Sequence, residues 1–192
     1  PVEPICSKCE MNIESTFKLN DLRYGDSLTA IRIEGSKKSI EERLKNLKNE
    51  LKTIDLNVSV LETIQSEIFW GKIKNLELFT KTSNNIFRIV VPPSECAKTI
   101  YLLPKQFKYF VDWGGALIWI EACDLSEQLF KSIRKKIVGL GGYVSMIKNS
   151  EFLPYVEDVF TIDRSRFNIS QDIKKSFDPK RILNPGKMYT GI

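Results

Sequence analysis

The order of strand-like and helix-like patterns between residues 85 and 147 constrains this chain more than any other feature. "NIFRIVVPP" (85–93) alternates apolar side chains at strand period and stops on consecutive prolines. A short helix follows, opened by Ser94 and closed by Pro104. "QFKYFVDW" and "ALIWIEA" are β-rich runs joined through Gly114 and Gly115, the composition of a hairpin. Asp124 then caps a helix with Leu125, Leu129, Ile133 and Ile137 on one face, and "GGYVSMI" (141–147) returns to strand character. The sum is β-α-β-β-α-β, the ferredoxin-like order. It predicts an α+β domain with a mostly antiparallel sheet and its helices on one side.

The flanks are patterned too. "SLTAIRIEG" (27–35) has strand character, and Gly35 ends it. In "SKKSIEERLKNLKNELK", Ile40, Leu44, Leu47 and Leu51 form a helical stripe, with Ser39 and Glu42 spaced as a capping box. "LNVSVLE" (56–62) reads as a strand, and "SEIFWGKIKNLEL" (66–78) as a weaker helix interrupted at Gly71. Downstream, "PYVEDVFTI" fits strand or loop, and a short helix runs from Ser170 to Phe177. Asp178–Pro179 suits the start of one further helical turn, with Ile182 and Leu183 buried behind it. Asn184–Pro185–Gly186–Lys187 has Pro and Gly where a type II turn requires them.

Composition removes several classes of function. The 192 residues hold no apolar run long enough to span a membrane. The 29 basic and 24 acidic residues are interspersed, so the net charge of +5 describes a solvated, mildly basic surface and not a polyanion-binding stripe. The two central strand runs lack the glycine-flanked aromatic pattern of RNA-recognition domains, and no nucleic-acid partner is expected. Four scattered cysteines point to a reducing compartment, the cytoplasm, while the basic balance allows peripheral contact with the inner face of a membrane. Cys6 and Cys9 in "CSKC" are half of a metal site whose second half is missing, so no metal is expected. Histidine is absent, which excludes a Ser/His or Cys/His dyad and any His-ligated metal within the chain. The chain opens on Pro1 without Met, and reads as a piece of something longer.

One candidate binding residue follows from strand alternation. Arg88 shares a face with Ile86 and Val90, opposite Phe87, Ile89 and Val91. A guanidinium among β-branched groups pairs with an internal acid, snorkels at a sheet edge, or recognises the carboxylate of a substrate. Trp119, alternating with Leu117 and Glu121, is expected to pack on the sheet.

The tail "FDPKRILNPGKMY" resembles the C-terminal end of FAD-linked oxidases of the vanillyl-alcohol oxidase type. "IFRIVVPPSE", "DWGGALIWIE" and "PICSKC" extend that likeness over nearly the whole chain, and toward the glycolate-oxidising members of the family. The resemblance implies that residues 1–192 are a single cap domain over a flavin, with an N-terminal FAD-binding domain outside the chain. It implies that Asn184, Pro185, Gly186 and Lys187 contribute to the FAD site and that Arg88 meets the carboxylate of a small 2-hydroxy acid. It implies assembly with a homologous flavoprotein subunit and an iron–sulfur subunit in a complex oxidising glycolate to glyoxylate. The chain lacks a Gly-rich diphosphate-binding segment, so FAD would be held mainly from outside it. With no histidine, a base within this chain would be Tyr, Lys, Asp or Glu; a non-catalytic assembly or electron-transfer subunit is the other reading.

Overall fold

The structure is a computed structural model that describes residues 28–52, 58–79, 84–149 and 158–192. Helices α1 (Lys37–Lys52) and α2 (Thr63–Lys74) precede strand β1 (Asn85–Val90). Then come a 3-10 turn (Pro93–Glu95), α3 (Cys96–Leu102), β2 (Lys108–Asp112), β3 (Leu117–Ala122), α4 (Glu127–Gly139), β4 (Tyr143–Lys148) and α5 (Arg164–Phe177). The β-α-β-β-α-β order is therefore realised between Asn85 and Lys148. Four strands form one sheet in the order β2-β3-β1-β4, and each neighbouring pair is antiparallel.

Alternation along the strands sorts the two faces. Phe87 and Ile89 of β1, Ile118 and Ile120 of β3 and Val144 of β4 are wholly buried on the face that receives α3 and α4. Phe130, Ile133 and Ile137 of α4 and Cys96 of α3 close this core from above. Phe87 meets Phe107 and Phe130 edge-on, with centroids 6.3 and 5.4 Å away, the arrangement that ring quadrupoles favour. Each such side chain contributes about 1.5–3 kcal/mol by leaving water, so this cluster fixes the register of the sheet.

Local signals differ from expectation in instructive places. Residues 28–34 and 58–62 are not strands: they pair with none of the four strands, and an extended run without a ladder is not held straight. Glu62 instead forms the N-cap of α2 in a capping box with Gln65, whose Oε1 accepts the Glu62 amide at 3.3 Å. Gly71 does not interrupt α2. α1 starts at Lys37, which places Ser39 inside the helix, not at its cap. Ser94 sits within the 3-10 turn, which Pro93 opens with its preset φ. Ser126, not Asp124, caps α4 through an Oγ that accepts the Leu129 amide at 3.2 Å; Asp124 has a φ of 51° and turns the chain instead. α5 begins at Arg164, ahead of Ser170, because Asp163 Oδ1 accepts the Arg166 amide at 3.0 Å.

The tail is stitched to the β4 edge. Met146 donates to Val159, Thr161 donates to Val144, and Val159 donates to Met188. After α5 no further helix forms. Asp178 closes a turn, its carbonyl accepting from Arg181 while its carboxylate accepts the amides of Ile182 and Leu183 at 3.0 and 2.9 Å. Those amides point inward and their side chains outward, so Ile182 and Leu183 are exposed, contrary to the expectation from their apolarity.

Candidate functional site: an aromatic cleft around Arg88

The face of the sheet opposite the core carries Arg88. Register places Phe110 of β2 beside Trp119 of β3, and Trp119 beside Arg88 of β1, so the three form one row across the sheet. The Phe110 and Trp119 rings stack at 6.3 Å with planes 19° apart, and the Arg88 guanidinium lies 5.9 Å from the Trp119 ring centroid. Trp119 thus packs on the sheet, as expected, but on the face away from the main core.

α2 flanks this face. With residues from Arg32 and the β2–β3 connection it makes an open cleft of about 560 Å³. Trp70, Phe110, Trp113 and Trp119 supply its aromatic wall. Its charged groups are Arg32, Lys74 and Arg88 against Glu67 and Asp112. Arg32 is paired with Glu34 at 2.5 Å, and Asp112 Oδ1 accepts the Trp113 amide at 2.7 Å.

Arg88 differs from these neighbours. Among the described residues it has no ion pair, and its buried Nε has no hydrogen-bond acceptor. The buried acid on the same face, Glu121, lies opposite Lys108, with Nζ and Oε2 3.9 Å apart. The internal salt bridge that would have explained Arg88 structurally is therefore not made among the described residues. A half-buried guanidinium with an orphaned donor, facing an open cleft, is suited to an incoming carboxylate.

The other predicted residues lie elsewhere. Asn184–Lys187 form the expected turn: Lys187 donates to the Asn184 carbonyl at 3.3 Å, and Gly186 has a φ of 68°. All four are exposed, and none lines the cleft. Gly186 also donates to the Ile192 carbonyl at 2.7 Å, which ties the turn to the chain end. A Cβ at Gly186 would meet nothing within 4 Å, so the glycine answers the backbone conformation and leaves the turn open on its outer side. The Asn184 amide and Lys187 ammonium have no partner among the described residues, which fits donation to the polar edge of a flavin. "CSKC" lies outside the described residues.

Sequence reasoning missed Arg32, Trp70, Lys74 and Trp113 as neighbours of Arg88, because they come from segments whose convergence is set by tertiary packing. The Gly-Gly pair after Trp113 was the one local hint.

Residues 120–188 match the family model described as FAD linked oxidases, C-terminal domain. Over that stretch, a little over a third of its length, the chain is similar to FAD-linked oxidase C-terminal domains. Over 177 residues it is 25% identical to the glycolate oxidase subunit GlcE of Escherichia coli (strain K12), a match covering 91% of this chain and 42% of that protein. The chain thus spans about two fifths of the curated relative it matches. No solved structure matches it. Among the described residues no helix of this domain is long and apolar enough to cross a membrane.

Proposed function

We propose that residues 1–192 serve as the cap domain of an FAD-linked 2-hydroxy-acid oxidoreductase subunit, acting on glycolate or a related acid. The reading rests on one observation above all: Arg88 lines a cleft with a cationic surplus and makes no ion pair among the described residues. Arg88 binds the substrate carboxylate through its planar fork and fixes which carbon faces the flavin. The FAD, held mainly by a domain outside these residues, supplies the two-electron acceptor for oxidation of the hydroxyl-bearing carbon. Asn184 and Lys187, exposed in their turn, would help hold the FAD when it is bound. Glu67 and Asp112 are the two carboxylates lining the cleft and the candidates to take the hydroxyl proton; Asp112 keeps its Oδ2 free of the Trp113 amide.

By likeness to GlcE, whose name marks it as a subunit, the chain assembles with a homologous flavoprotein subunit and an iron–sulfur subunit, in the cytoplasm or at the inner membrane face. The absence of histidine favours a second reading, in which this subunit relays electrons or supports assembly and a partner performs the oxidation. Anaerobic mixing of the flavin-loaded, full-length subunit with glycolate separates the two. Rapid bleaching of the flavin that is slowed at least about 100-fold by Arg88→Lys supports catalysis here. Absence of bleaching in the isolated subunit, restored only with partners, supports the second reading. A full-length protein that binds no flavin contradicts both.

A further inference from the structure

The cleft is far larger and more aromatic than glycolate needs. Its volume of about 560 Å³ is open to solvent and leaves room beside Arg88 for a group larger than glycolate. Glycolate has no carbon beyond its hydroxymethyl group, so bonding to Arg88 would leave Trp113 exposed and Trp70 and Trp119 partly so. Such a wall is recognition surface for a flat apolar group, beside cations that recognise an anion.

Trp113 carries the strongest local signal. Its φ is 54°, a conformation in which a bulky residue is an outlier, and Gly114 and Gly115 continue the left-handed path at 59° and 97°. Asp112 holds the conformation by accepting the Trp113 amide at 2.7 Å. The positive φ serves the tight connection between β2 and β3, and Trp113, 63% exposed, lines the cleft, so its ring is available to a ligand.

We propose that the cleft takes a carboxylic acid bearing an aromatic side chain, with Trp113 as the residue that selects the ring. The inference rests on the assignment of Arg88 to the carboxylate. The ring packs against exposed Trp113 while the carboxylate meets Arg88. Within the acids that reading allows, the class that follows is aryl-substituted 2-hydroxy acids, bound more tightly than glycolate.

Calorimetric titration of the full-length protein with phenylacetate and with acetate tests this without turnover, since neither acid can be oxidised at a hydroxyl. Phenylacetate is expected to bind at least about tenfold more tightly than acetate. Trp113→Asn, which tolerates positive φ, should bring that ratio close to one. Arg88→Met should weaken both acids together. If Arg88→Met changes neither affinity, the carboxylate assignment fails and this inference with it. If Arg88→Met weakens both while the wild-type ratio is near one, or is unmoved by Trp113→Asn, the carboxylate assignment stands and the aromatic selection is overturned.

Discussion

Replacing Arg88 with methionine should make this part of the fold more stable while removing its affinity for carboxylates. Nε of Arg88 is buried with no acceptor among the described residues. An unsatisfied buried donor costs about 1–3 kcal/mol. Methionine is unbranched, fills the same path along the sheet between Ile86 and Val90, and carries no donor. The change also forfeits the guanidinium contact with the Trp119 ring at 5.9 Å, worth about 0.5–1 kcal/mol. The balance is a gain of roughly 0–2.5 kcal/mol. Hydrogen exchange by mass spectrometry on the full-length protein reads this locally, as slower exchange in peptides covering β1 and β3. Faster exchange there, equivalent to a loss of more than about 1 kcal/mol, would show that Arg88 is a structural member of the sheet and would refute the reasoning.

The C-terminal turn should loosen in acid. The Asp178 carboxyl falls from an ordinary 3.8 to about 2, first because Lys174 donates to it and then because the Leu183 amide does. A depressed carboxylate stabilises above its unfolded value and loses that contribution as pH falls from about 4 to about 2. Pepsin should therefore nick Asp178→Asn in this turn sooner than wild type at pH 4, with the difference closing by pH 2; a constant difference would exclude Asp178 as the titrating group. Gly142→Ala should destabilise the sheet by about 1–3 kcal/mol, because the new Cβ would lie 2.6 Å from the Val90 carbonyl oxygen and 2.5 Å from Val91 Cγ1. Unchanged exchange protection in β1 and β4 would show that the strands move apart freely.

The β-α-β-β-α-β unit was legible because burial and period agree in it. Phe87, Ile89, Ile118 and Ile120 alternate with polar or cleft-facing residues, and Phe130, Ile133 and Ile137 fall on one helical face. The flanks were less legible. "SLTAIRIEG" and "LNVSVLE" alternate as strands do, but pairing partners decide whether alternation becomes a strand, and local pattern holds no information on partners. Ile182 and Leu183 misled for a related reason: the Asp178 carboxylate claims their amides and turns their side chains outward. Within the site, the face on which Arg88 lies was readable from its neighbours. The cleft was not, since α2 and the β2–β3 connection reach it from opposite directions along the chain. The turn at Asn184–Lys187 was readable because Pro and Gly specify it locally.

The central claim, that Arg88 receives the carboxylate of the acid presented to the flavin, is tested most directly by titrating oxalate into flavin-loaded, full-length protein and following the flavin absorption spectrum. Oxalate carries carboxylates and no oxidisable hydroxyl. The account predicts a saturable spectral shift in wild type, with affinity weakened at least about 100-fold by Arg88→Met. A shift of equal affinity in both proteins would contradict it.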